Sequence, residues 1–100
     1  MKEYKILLVC SGGMSTSILM QKMQKYAEEK GLSLKIDACG ANVCQDKAGD
    51  YDVILLGPQI AYQKAGIAGK VSIPVAAMQP QDYALARCES IFKQVDSILG

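Results

Sequence analysis

Two short runs of this chain are apolar almost without interruption, a third alternates, and a fourth is broken by a proline. After its first two residues the run 4–9 is continuously apolar, and 52–56 is another such run, rich in Leu, Ile and Val. A strand with no polar side must be covered on both faces, so these two predict the centre of a sheet. In 32–39, Leu32, Leu34, Ile36 and Ala38 alternate with Ser33, Lys35, Asp37 and Cys39. One face therefore tolerates charge, which predicts an edge strand. The run 71–78 carries Pro74 in its middle, and a residue without an N–H is confined to an edge or a bulge. It is expected at the opposite edge.

Between the strands the period changes. Residues 16–30 place Leu19, Met23 and Tyr26/Ala27 on one helical face, with Gly31 at the position after the helix where a left-handed residue closes it. Residues 82–99 place Leu85, Cys88, Ile91/Phe92, Val95 and Ile98/Leu99 on one stripe, with Asp82 as N-cap. Segments 42–49 and 59–69 predict two short helices, the second interrupted by Gly66. Strands alternating with helices and joined by right-handed crossovers give an α/β fold. All four strands are expected parallel, in the order 2-1-3-4, flanked by helices within one domain spanning residues 1–100.

Composition narrows the function. A chain of 100 residues, half of them apolar, with 21% charged and a net charge of +1, can form one core and bury roughly 65% of its unfolded surface. Disorder and a second domain are excluded. The runs 6–10 and 53–56 fall far short of the roughly 20 apolar residues a membrane-spanning helix needs. The first residues leave no room for a cleaved signal. The expectation is a cytoplasmic protein without membrane insertion. Balanced charge and few aromatics lack the basic footprint of a nucleic-acid binder. There is no histidine and no Cys-x-x-Cys pair, so neither metal nor cofactor is expected. Cys10, Cys39, Cys44 and Cys88 are expected as free thiols in a reducing compartment. Cys39 and Cys44, on either side of Gly40, are assigned no function, and Cys88 is read as a small core residue.

The chemistry gathers where the first strand ends. Cys10 is followed by Ser11, Gly12, Gly13, Met14, Ser15, Thr16 and Ser17, which lead into the first helix. Two glycines permit a tight turn, successive N–H groups converge, and the helix N-terminus adds about half a positive charge. Hydroxyls from Ser11, Ser15, Thr16 and Ser17 can donate to phosphate oxygens or cap the helix. This predicts a phosphate cradle at the switch point of the sheet. Neither G-x-G-x-x-G nor G-x-x-x-x-G-K-[ST] is present. A thiol occupies the rim instead, and the helix-end field favours its charged form, making Cys10 the expected nucleophile. The plainer alternative is a core cysteine beside a capped helix, but a cap needs one hydroxyl rather than four with two glycines.

A Cys-x5-Arg phosphatase would place its clamping Arg where this chain has Thr16. Without that fork, water attack lacks its main charge-stabilising partner, so a phosphocysteine should persist. Asp82 is the candidate general acid near the fourth strand, with N-capping as its simpler role. Gln59, after Gly57-Pro58, and Tyr62 one turn later should border the same crevice. The alternative for them is a tight turn and a packing aromatic. Met14 would serve either as an apolar partner contact or as a plug under the loop. Lys22, Lys25 and Lys30 are expected on a solvated face.

The segments 6–17 and 52–62 together closely resemble the IIB component of the lactose/cellobiose class of the bacterial phosphoenolpyruvate-dependent sugar phosphotransferase system. The likeness runs from the first strand to the Leu-Gly-Pro-Gln loop. Further on the chain departs, with Tyr83-Ala84 where family members commonly show Tyr-Gly, and no glycine after it until Gly100. The resemblance implies a fold like that of low-molecular-weight tyrosine phosphatases and a transferase role. A IIA phosphohistidine protein would phosphorylate Cys10, the backbone from Ser11 to Ser17 would cradle the phosphate, and the membrane IIC permease would pass it to a sugar of cellobiose, chitobiose or lactose type. The competing readings are a low-molecular-weight phosphatase or arsenate-reductase-like enzyme, and a non-catalytic anion-binding module in which Cys10 is incidental.

Overall fold

The two continuous apolar runs take the middle of the sheet. The computed structural model describes residues 3–10 and 13–99, apart from the side chains of 13–16. In it β1 (Glu3–Val9), β2 (Ser33–Cys39), β3 (Val53–Leu56) and β4 (Val75–Ala77) pair in parallel in the order β2-β1-β3-β4. This is the topology the pattern predicts. Ile6 to Val9 and Val53 to Leu56 are fully buried, whereas β2 is only half-covered. Alternation splits the central strands between two cores. Ile6, Leu8, Val53 and Leu55 face α1 (Gly13–Lys30) and a later helix through Leu19, Met23, Ile91 and Phe92. Leu7, Val9, Ile54 and Leu56 face α2 (Cys44–Lys47) and α3 (Lys64–Ala68) through Cys44 and Ile67.

Several boundaries shift, each for a local reason. β4 is shorter than the expected 71–78, because Pro74 precedes it and contributes only its carbonyl, which accepts the Ile54 N–H at 2.9 Å. α1 begins at Gly13, three residues before the expected start. Segment 42–49 narrows to α2 followed by a 3-10 turn at Ala48–Asp50, and segment 59–69 becomes a 3-10 stretch, Pro58–Gln63, running into α3. Gly66 stays inside α3 and interrupts nothing.

The end of α1 behaves as expected. Gly31 adopts φ 69°, and two closing bonds run from Leu32 N–H to Ala27 O at 2.8 Å and from Gly31 N–H to Glu28 O at 3.2 Å. This is a Schellman closure.

The expected helix 82–99 is instead two, α4 (Pro80–Ala84) and α5 (Cys88–Leu99). The break is a second Schellman closure, with Arg87 N–H donating to Asp82 O at 2.9 Å and Ala86 N–H to Tyr83 O at 3.4 Å. Ala86 holds the left-handed position at φ 50°. Leu85 consequently leaves the apolar stripe and is 62% exposed. Asp82 is not an N-cap either: it lies inside the first turn of α4, buried, and its carboxylate accepts a hydrogen bond from Ser90 Oγ at 2.8 Å. That bond ties α4 to α5 across the break. An alanine in the left-handed region is strained by roughly 1 kcal/mol. Ala86→Gly should therefore raise stability by up to about 1 kcal/mol, read as a higher urea midpoint; a lower midpoint would mean the turn is held by something other than its torsion.

At the far end of β1, Tyr4 packs edge-on against Phe92, with centroids 4.9 Å apart, and donates its hydroxyl hydrogen to Asp96 Oδ1 at 2.8 Å. Burial first, and then the hydrogen bond to Asp96, push its pKa from 10.0 up to about 12. Below pH 10 both folded and unfolded chains hold this proton. Between pH 10 and about 12 only the folded chain does, so stability falls as pH rises through that window. The part assigned to Tyr4 reaches about 3 kcal/mol. Tyr4→Phe should flatten this alkaline fall, leaving the share due to Tyr51 and the buried thiols, whose pKa values burial also raises. Urea midpoints of both proteins across that range decide it, and parallel curves would contradict it.

Candidate functional site

Cys10 is the first residue beyond β1. Its N–H donates to Cys39 O at 3.3 Å, and the Gly57 N–H donates to Val9 O at 2.8 Å. These bonds fix the exits of β2 and β3 on either side of the thiol. Cys10 thus stands at the C-terminal edge of the two central strands, where the strand order departs from sequence order, and its side chain is 7% exposed. The 18-residue α1 opens three residues later, at Gly13, with its positive end at this edge. Ser11 and Gly12 lie outside the described residues, as do the side chains of Met14, Ser15 and Thr16. Gly13 is placed as the first residue of α1, and Ser17 is exposed on that helix.

The β3 exit closes the other side. A side chain at Gly57 would put its Cβ 3.0 Å from Cys10 Cβ and 2.8 Å from Gln59 Oε1. Cys10 and Gln59 therefore converge on one point beside the bare α-carbon. The backbone of Gly57, at φ −63° and ψ 150°, is one any residue adopts, so what glycine supplies here is room. Gln59 Oε1 thus lies on the Cys10 side of the β3 exit. Tyr62 is 80% exposed, and its hydroxyl accepts a bond from Gln63 Nε2 at 3.2 Å. The role of packing aromatic is therefore excluded for Tyr62.

The other thiols are held differently. Burial, with Cys44 nearby, pushes Cys39 up to about 11. Burial also raises Cys44, whose Sγ donates to Ala41 O at 3.3 Å, and Cys88. All three stay protonated at neutral pH and are poor nucleophiles. Cys88 is half-buried rather than fully in the core. Beside them Lys47 Nζ lies 3.0 Å from Asp37 Oδ2, and this hydrogen bond holds the Asp37 carboxyl below the usual carboxylate range. The pair clamps α2 onto β2. Asp82, the candidate general acid, has its carboxylate in the α4–α5 junction, on Ser90. Among the described residues no group of three or more His, Cys, Asp or Glu could hold a metal, and no helix is long and apolar enough to cross a membrane.

One feature escapes the sequence pattern. Among the described residues every strand is followed by an exposed large apolar side chain: Ile18 after β1, Val43 after β2, Tyr62 after β3, and after β4 both Leu85 and, at the end of α5, Leu99. Of these only Tyr62 stands out as a candidate in the sequence. Leu85 looks like core until the break at Ala86 turns it outward.

Residues 5–94 match the family described as the lactose/cellobiose-specific IIB subunit of the PTS system. The galactose-specific EIIB component of Lactococcus lactis subsp. cremoris is 36% identical, over the full length of both chains. A lactose-specific EIICB component of Staphylococcus haemolyticus is 29% identical over 82% of this chain, a match that spans 15% of that larger relative. The solution structure of the cellobiose-specific phosphotransferase IIB component from Borrelia burgdorferi superposes with a TM-score of 0.77, at 29% identity, covering 98% of this chain and 93% of that one. With its switch-point cysteine and its sheet of order β2-β1-β3-β4, the chain belongs to the lactose/cellobiose-specific IIB family of the phosphotransferase system.

Proposed function

We propose that this chain is a cytoplasmic phosphocysteine carrier in which Cys10 takes a phosphoryl group from a IIA phosphohistidine and yields it to a sugar held by a membrane IIC component. In the first step the Cys10 sulfur attacks phosphorus in line, the S–P bond forms, and the N–P bond breaks with its electron pair returning to the histidine ring. In the second, a sugar hydroxyl oxygen attacks, the S–P bond breaks back to sulfur, and the hydroxyl proton is released. Phosphoryl transfer asks mainly for alignment and charge stabilisation. The backbone from Ser11 to Ser17 and the start of α1 would supply the donors, and Gln59 would border the transferred group, with Tyr62 further out on the rim.

The observation that carries this reading is the place of Cys10, directly after a central strand and just ahead of a long helix. Exposed Ile18, Val43, Tyr62 and Leu85 fit partners that dock and leave at this edge. A IIC partner is supported by the EIICB relative, and the sugar is of cellobiose, chitobiose or lactose type. A hydrolytic phosphatase is disfavoured, because Thr16 stands where the Arg would be and Asp82 is engaged by Ser90.

The test is phosphorylation through phosphoenolpyruvate, the general phosphotransferase proteins and a IIA protein, followed by peptide mass analysis. The label is expected on the peptide containing Cys10. A label on serine or threonine, or none, refutes the mechanism, and steady turnover of an aryl phosphate by the isolated chain would favour the phosphatase.

A further inference from the structure

Away from the thiol, α1 and the start of α5 enclose an open cleft of about 690 Å³. Its floor is half-buried Tyr26, Ala86 and Cys88, and its rim carries exposed Lys22, Lys25 and Arg87. Across the cleft, Lys93 and Glu89 offset each other at 3.5 Å. That leaves three cations against the single carboxylate of Glu29. Among the described residues no carboxylate within ion-pairing distance answers Lys22, Lys25 or Arg87. Lys30, which the sequence groups with Lys22 and Lys25, does not line the cleft, although its Nζ lies 5.8 Å from the Tyr26 ring centroid.

A simply solvated face would have no need of a concave, half-buried floor. Cations converging on a low-dielectric wall focus a positive potential into the space between them. We propose that this cleft binds, without reacting with it, a small phosphomonoester. Three cations, one of them the planar donor fork of Arg87, match a phosphate dianion. The floor of Tyr26, Ala86 and Cys88 accepts an organic body, and the volume falls in the range of roughly 300–1,000 Å³ usual for small-ligand pockets. The cations and the cleft carry the site; the first turn of the 12-residue α5 adds a field of the same sign. Lys22 and Lys25 lie roughly 14–18 Å along α1 from its start beside Cys10, so this site is separate from the phosphoryl cradle.

The test is titration of the isotopically labelled full chain with inorganic phosphate, glucose 6-phosphate and AMP, each against chloride at equal ionic strength, followed by amide resonances. Residues 22–29 and 86–90 are expected to shift along a saturation curve of their own. Lys25→Gln and Arg87→Gln, both at exposed positions, should each weaken binding about tenfold, with Cys10 phosphorylated at the wild-type rate. Tighter binding of the two esters than of inorganic phosphate supports an organic ligand. Equal binding overturns the ester and assigns the cleft to free phosphate. Shifts that chloride reproduces, that are confined to the surroundings of Cys10, or that survive Arg87→Gln overturn the site altogether.

Discussion

Replacing Cys10 by alanine should abolish phosphoryl acceptance while leaving the chain folded. The side chain is nearly buried at a strand end, so losing the sulfur leaves a small void, at a cost of about 1 kcal/mol, typical of a single substitution. Against that small stability term stands the loss of the proposed nucleophile. The remaining thiols cannot substitute: Cys39 is pushed up to about 11, and Cys44 and Cys88 are also held protonated by burial. The variant should show no label in the phosphorylation assay and a urea midpoint close to the parent's. Retained labelling would mean that Cys10 is incidental and that another side chain accepts the phosphoryl group.

Gly57→Ala should slow transfer by about tenfold, with a far smaller effect on stability. The torsions at this position suit alanine, so strain does not enter. What changes is space. The new methyl group would sit 2.8 Å from Gln59 Oε1, which can swing away, and 3.0 Å from Cys10 Cβ, which cannot because it is fixed by the backbone. The thiol must therefore move by a few tenths of an ångström, and in-line transfer is steep in such displacements. Adding Gln59→Ala to Gly57→Ala separates the two contacts. If the position of Cys10 matters, the double variant stays slow; if its rate recovers fully, the crowding of Gln59 was responsible. A single Gly57→Ala variant that transfers at the normal rate would remove Gly57 from the site.

Which features could be read in advance follows from how each is encoded. The apolar runs at 4–9 and 52–56 and the alternation at 32–39 report burial residue by residue, and burial on two faces or one decides centre or edge. Gly31 announces the end of α1 because glycine enters the left-handed region freely. Ala86 takes the same conformation with no such signal, and the apolar spacing runs straight through it. The closure there is held by bonds to Asp82 and Tyr83 and by the Asp82–Ser90 bridge, none of which periodicity records. Reading Leu85 as core failed for this reason, whereas reading Asp82 as a cap failed because α4 already begins at Pro80, after Gln79.

The site divides in the same way. That a cysteine follows the first strand and precedes a glycine- and hydroxyl-rich segment is written in adjacent residues, and so is the anion chemistry it implies. Gly57 meets Cys10 because β1 and β3 pair in a register that sets Val9 opposite Leu56. The cleft between α1 and α5 exists because both helices pack on the same face of the sheet. By itself the sequence determined the strand order, the end of α1 and the place of the candidate nucleophile directly after β1, since each depends on neighbouring residues and their periodicity. The tertiary structure alone decided the room beside the thiol and the basic cleft, because each arises between segments distant in the chain that meet only when the sheet closes, while the break at Ala86 rests on bonds among residues 82–90 that apolar periodicity does not encode.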